Sequence, residues 1–142
     1  MNGSAIICLG NRYHAGDDLG CRVFDLLNSA ARRPDVALID GGLCGIDLLS
    51  VMEGRQRVVF ADALAGVDDS DGVVVLEPEQ IALQASHYGH SAGLPYLLSM
   101  LPLAVTPPWP RVKLVGASGA AGERTLLAVA ERCLEIACRG GD

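Results

Sequence analysis

The sequence predicts an α/β fold: a single-domain, three-layer αβα sandwich around a mostly parallel, about five-stranded twisted sheet. Two observations carry that prediction. Short runs rich in Val, Ile and Leu alternate along the chain with segments whose apolar residues recur at helical spacing. The short runs are also apolar throughout rather than alternating, as strands are when both faces of a parallel sheet are covered. Half of the 142 residues are hydrophobic and only 20% are charged, which fits one sizeable core and excludes a disordered or fibrous chain. No internal repeat or low-complexity tract divides it, so residues 1–142 are read as one domain.

The elements follow in order. "SAIICLG" is a short apolar run closed by glycine, a buried strand. From Asp18 the period changes: Cys21, Val23, Phe24, Leu26 and Leu27 fall largely at helical spacing until "RRP" stops them. "DVALID" is the second strand, and "GGLCGIDLLSVMEG" a loop and short helix closed by Gly54. "RQRVVFADAL" is the third strand, with Arg55 and Arg57 exposed at its start and Asp62 at its end. "AGVDDSDG" is an acidic turn, in which Asp68, Asp69 and Asp71 read as solvated. "VVVLEPEQI" is a fourth strand running into a polar segment. "ASHYGHSAGLPYLLSML" begins as a loop and becomes a helix from Gly93. The prolines of "VTPPWP" form a stiff connector whose Trp109 is exposed. "RVKLVGA" is the fifth strand. The last helix carries a stripe of Leu126, Leu127, Ala130, Leu134 and Ala137 and ends at Gly140 and Gly141.

Charge and composition remove several function classes. The formal net charge is −6 and the basic residues are scattered, which argues against nucleic acid as a partner. No apolar stretch reaches the roughly 20 residues needed to span a bilayer, and "MNGSAIICLG" has no basic leader, so neither membrane insertion nor a signal peptide is expected. The cysteines, Cys8, Cys21, Cys44, Cys133 and Cys138, are odd in number and form no C-x-x-C pair. They read as reduced, mostly buried thiols of a cytoplasmic chain.

In an open parallel sheet, ligands bind at the carboxyl ends of the strands. The polar residues expected there are Asn11, His14, Asp17 and Asp18 after strand one, Asp40 and "GGLCG" after strand two, and Asp62 after strand three. His87 and His90 are expected in the loop beyond strand four. Carboxylates and an imidazole converging from separate loops suit a divalent ion such as Ni, Mn or Zn, and equally general acid–base work. Each residue also has a plainer reading. Asp17 or Asp18 can cap the first helix, Asp62 can cap the segment after it, and the histidines can be surface residues. The "GGLCG" loop lacks the Lys-Ser/Thr of a phosphate-binding loop and the spacing of a dinucleotide fingerprint.

Taken together and in order, four pieces carry a resemblance: "GNRYHAGDDLG" after an apolar strand, "GGLCGIDLL", "ADA" and "HSAGLPYLL". Along nearly its whole length the chain resembles the hydrogenase maturation endopeptidases. The resemblance implies a parallel-sheet fold flanked by helices, of phosphorylase/hydrolase-like architecture. It implies an aspartyl-type protease that removes a C-terminal extension from the precursor of a nickel-iron hydrogenase large subunit after nickel insertion. It also implies that nickel, or another divalent cation in its place, arrives with the precursor as the recognition element. The metal-binding positions carried over are an acid of the first loop (Asp17 or Asp18), Asp62 and His90. Asp17 and Asp62 become the catalytic pair, and Asn11, Gly41, Gly42 and Gly45 substrate contacts beside the cleft.

Two departures from the family pattern stand out. Family members usually read acid-acid-Gly-x-Gly with the second acid six residues after the Asn; here Asp17 is six after Asn11 and Leu19 interrupts the pattern. Ungapped counting makes Asp17 the ligand, matching the pair makes it Asp18, and the retained distance to Gly20 favours Asp17. The last strand ends in "GASGA" rather than in an acid-bearing turn. Two alternatives are a non-catalytic, nickel-dependent hydrogenase-assembly binding protein and a small α/β hydrolase acting on a nucleotide or glycosyl bond. The protein is expected to be a monomer.

Overall fold

The computed structural model describes residues 3–30, 33–88 and 93–139. Five strands, β1 (Ser4–Leu9), β2 (Val36–Gly42), β3 (Arg57–Ala63), β4 (Val74–Leu76) and β5 (Arg111–Ala117), form one sheet in the order β2-β1-β3-β5-β4. The β1–β2, β1–β3 and β3–β5 pairs are parallel, and β4 runs antiparallel to β5 at the edge. Five helices cover it: α1 (Leu19–Ser29), α2 (Leu48–Met52), α3 (Pro78–Tyr88), α4 (Gly93–Ala104) and α5 (Glu123–Arg139).

The sheet separates two apolar layers. Val58, Phe60 and Leu114 pack with α2, α3 and α4 through Met52, Ile81, Leu94 and Leu97. Val59, Ala61 and Val115 pack with α1 and α5 through Val23, Val129, Cys133 and Ile136. Successive residues of β3 thus serve opposite layers, which is why its sequence is apolar without alternation. All six residues of β1, an interior strand, are buried. Its first residue, Ser4, is polar and donates its hydroxyl to the carbonyl of Ala137 at 2.7 Å, tying β1 to the end of α5.

Several expectations change. The polar segment after β4 is the helix α3, so His87 lies on a helix and not in a loop. Pro78 starts that helix, and the Glu77 N–H donates to Gln80 Oε1 at 2.8 Å, half of a capping box. Arg55 and Arg57 are half-buried rather than exposed: Arg57 pairs between Ser4 and Arg111 in a central strand, which covers its stem. Leu127 is half-exposed, and the inward stripe of α5 runs instead through Leu126, Val129, Ala130, Cys133, Ile136 and Ala137. β2 continues two residues beyond the expected strand, taking in Gly41 and Gly42. Gly140 and Gly141, expected to end α5, lie outside the described residues. All five cysteines are free thiols, three of them buried. Among the described residues no helix is long and apolar enough to cross a membrane.

The strand order reverses direction at β1. From β1 the chain goes to β2 on one side and then returns to β3 on the other. A crevice opens at such a switch point, outside the carboxyl ends of β1 and β3.

Candidate active site

The loop after β1 is built to hold Asp17 over that crevice. Gly10 leaves the strand with φ +145°, and its N–H donates to Gly42 O at 2.8 Å, joining the first loop to the end of β2. The Asn11 N–H then donates to Asp17 O at 2.8 Å, and the Asp17 N–H to His14 O at 3.0 Å, so the loop closes on itself. A side chain at position 10 would bring its Cβ within 2.5 Å of Asp17 O. A glycine there is therefore a condition for placing Asp17. Behind it, position 20 faces the carbonyl oxygens of Leu9 and Ala61 so closely that no Cβ fits. The first turn of α1 consequently sits directly on the ends of β1 and β3.

The two adjacent acids separate in role. Asp18 occupies the N-cap position of α1, but its side chain makes no capping bond; the first helical bond runs from the Arg22 N–H to Asp18 O at 3.0 Å. Asp17 instead lines a small pocket of about 60 Å³ together with Leu9, Gly10, Gly42, Cys44, Asp62 and Leu94. That volume holds about two waters or one ion. None of the described residues lining it is cationic.

Asp62 enters the pocket from β3, one residue before the strand ends, in register with Gly116 of β5. Its Oδ1 accepts the Ala63 N–H at 2.8 Å. Burial raises its pKa to about 7; the bond from Ala63 opposes the rise, and the nearby negative charge of Asp17 adds to it. Such a carboxyl changes charge near neutrality and can hold or release a proton at working pH. Burial, with a smaller contribution from Asp62, likewise pushes the Cys44 thiol up to about 11, so it is no nucleophile at neutral pH.

The remaining expected residues are placed as follows. Gly42 lines the acid pocket with φ +56°. Gly41 packs so closely on Ile7 and Leu9 that it has no room for a side chain, and Gly45 lies against the Asp47 carboxylate. Asn11 and exposed His14 line a larger groove of about 490 Å³ that shares Asp17 with the acid pocket. Asp40 is exposed at the end of β2. His90 lies outside the described residues, between α3 and α4. Among the described residues no group of three His, Cys, Asp or Glu is placed to hold a metal by itself. Gly10 and Leu94 are pocket residues that sequence reasoning does not assign. A glycine directly after an apolar strand is the available signal for the first.

Known proteins share this arrangement of elements. The sequence profile of the hydrogenase maturation protease family matches residues 21–125. The chain belongs to the hydrogenase maturation protease family. The matched stretch contains Asp62 and the "GGLCG" loop and begins just after the loop bearing Asp17. The hydrogenase 2 maturation protease of Escherichia coli K12 is 30% identical over 100 residues, 68% of this chain. The match spans only 61% of that relative's length. Among solved structures, the hydrogenase maturating endopeptidase HybD from E. coli superposes with a TM-score of 0.71 at 24% identity, over 94% of this chain and 88% of that one. The solution structure of an endopeptidase from E. coli gives 0.70 at 26% identity with the same coverage. The five-stranded, mostly parallel sheet flanked by helices is thus the fold of known hydrogenase maturation proteases.

Proposed function

We propose that this chain is an endopeptidase that removes the C-terminal extension of a nickel-iron hydrogenase large-subunit precursor in the cytoplasm. The observation that carries this reading is the pairing of Asp17 and Asp62 in one small pocket at the switch point, in a chain of this family.

The nickel is part of the substrate. Two carboxylates facing one pocket, with no cationic side chain among the described residues that line it, gain from a divalent cation that offsets their repulsion. Oxygen donors with one imidazole, His90, suit nickel. Asp17, Asp62 and His90 grip the nickel of a completed precursor and so dock the scissile bond in the crevice. A precursor without nickel would lack that anchor, which makes recognition and the check on metal insertion one event.

Peptide hydrolysis needs a proton taken from water and delivered to the leaving amine. Asp62, which borders the pocket where the scissile bond docks, is the group for both transfers. Asp17 holds the cation beside Asp62. The test is Asp62→Ala: it should abolish processing of a nickel-loaded precursor, read by mass spectrometry, while circular dichroism stays native. Continued processing by that variant would remove the assignment.

A further inference from the structure

We propose that the groove beside the acid pocket is the binding site for the departing tail of the substrate. This rests on the protease reading above and adds to it where the C-terminal extension lies.

The groove is continuous with the site, because Asp17 belongs to the walls of both cavities. Its volume of about 490 Å³ is that of clefts that enclose a small ligand, or a few residues of extended chain. Its depth comes from missing side chains: six of its eleven lining residues are Gly or Ala, among them Ala15, Ala65, Gly66 and Gly119. Walls of that kind accept a main chain with small side chains and give a bulky one nothing to fill. Asn11 supplies a handle for such a chain. Its Oδ1 accepts the Tyr13 N–H at 3.0 Å, which orients the amide and leaves its NH₂ to donate to a ligand carbonyl.

The surroundings decide which side of the scissile bond lies here. The retained side belongs to a folded, metal-bearing body, which needs an open face. Such a face lies at the loop that lines the acid pocket, where Leu43 is 76% and nearby Ile46 53% exposed. A groove of this size takes a loose tail, and the part removed is a tail.

The test uses two fillings from different loops, Ala65→Leu and the exposed Ala15→Phe, so that a folding failure of one does not end the experiment. Each is assayed on nickel-loaded precursor carrying either the whole extension or one cut to its first residue. Each filling should raise KM for the whole extension about tenfold or more. Cutting the tail should cost the wild type a similar factor, and the two changes together should cost no more than either alone. Unchanged KM in both variants, or effects that multiply, would overturn the groove assignment while leaving the protease reading standing. A wild type that cleaves neither substrate would take down the protease reading, and this one with it.

Discussion

Asp17 from the loop after β1 and Asp62 from the end of β3 line one pocket of about 60 Å³, and the charge of Asp17 helps hold the Asp62 carboxyl up to a pKa of about 7. The pair gives the metal-free protein a cost that function explains.

That cost has a pH signature. The folded pKa of Asp62 is raised from an ordinary 3.8 to about 7, so between those values the native state binds more protons than the unfolded one. Stability contributed by this group is present below pH 4 and falls as pH rises to about 7. Asp62→Asn keeps the shape and removes the charge. It should stabilise the metal-free protein at pH 8 relative to pH 5 by a few kcal/mol, at about 1.4 kcal/mol for each tenfold change in proton affinity. Urea unfolding of both proteins at the two pH values measures it.

Asp17 and Asp18 should part company on mutation. Asp17→Ala should slow processing about a hundredfold or more, the scale of a lost acid–base or anchoring group. Asp18→Ala should leave processing within a few-fold. It should cost about 0.3–1 kcal/mol of stability, since only the helix dipole loses a partner and no capping bond exists to break. Single-turnover assays and thermal melts on the two variants separate the roles.

Gly20 reverses a general rule. A glycine within a helix normally gains about 1 kcal/mol on replacement by Ala. Here the added methyl would strike the carbonyl oxygens of Leu9 and Ala61. Gly20→Ala should instead lose about 1–3 kcal/mol or more, seen as a lower Tm, and should reduce processing as α1 lifts away from the strand ends.

Cys44 lines the acid pocket without acting as its nucleophile. Its thiol is held protonated, and its φ of 65° is one that only glycine adopts without strain. Cys44→Gly should therefore keep processing within about tenfold, and iodoacetamide should modify the wild-type thiol slowly at pH 7. Loss of processing on the scale of Asp62→Ala would instead point to a thiol mechanism.

The fold was legible where burial wrote itself into consecutive residues. "AIICL" and "VVFA" are apolar on both faces because the strands are covered on both faces. The helix α3 was not legible by periodicity, because Ile81 is the one apolar side chain in "PEQIAL" that is buried; its start signal was instead Glu77-Pro-x-Gln80. The antiparallel turn of β4 rests on three residues and a tertiary partner, which no local pattern records. At the site, the sequence offered two neighbouring acids, and the retained distance to Gly20 favoured Asp17. The loop bonds from Asn11 to Asp17, and the place of Asp18 at the head of α1, separate them.

The central claim is that cleavage requires nickel held by the substrate and gripped by this acid pair. The direct measurement is cleavage of purified large-subunit precursor, nickel-loaded and nickel-free, by the wild type and by Asp62→Asn. The wild type should cut only the loaded precursor, and the variant should cut neither. Equal cleavage of the nickel-free precursor, or cleavage by the variant, would contradict the claim.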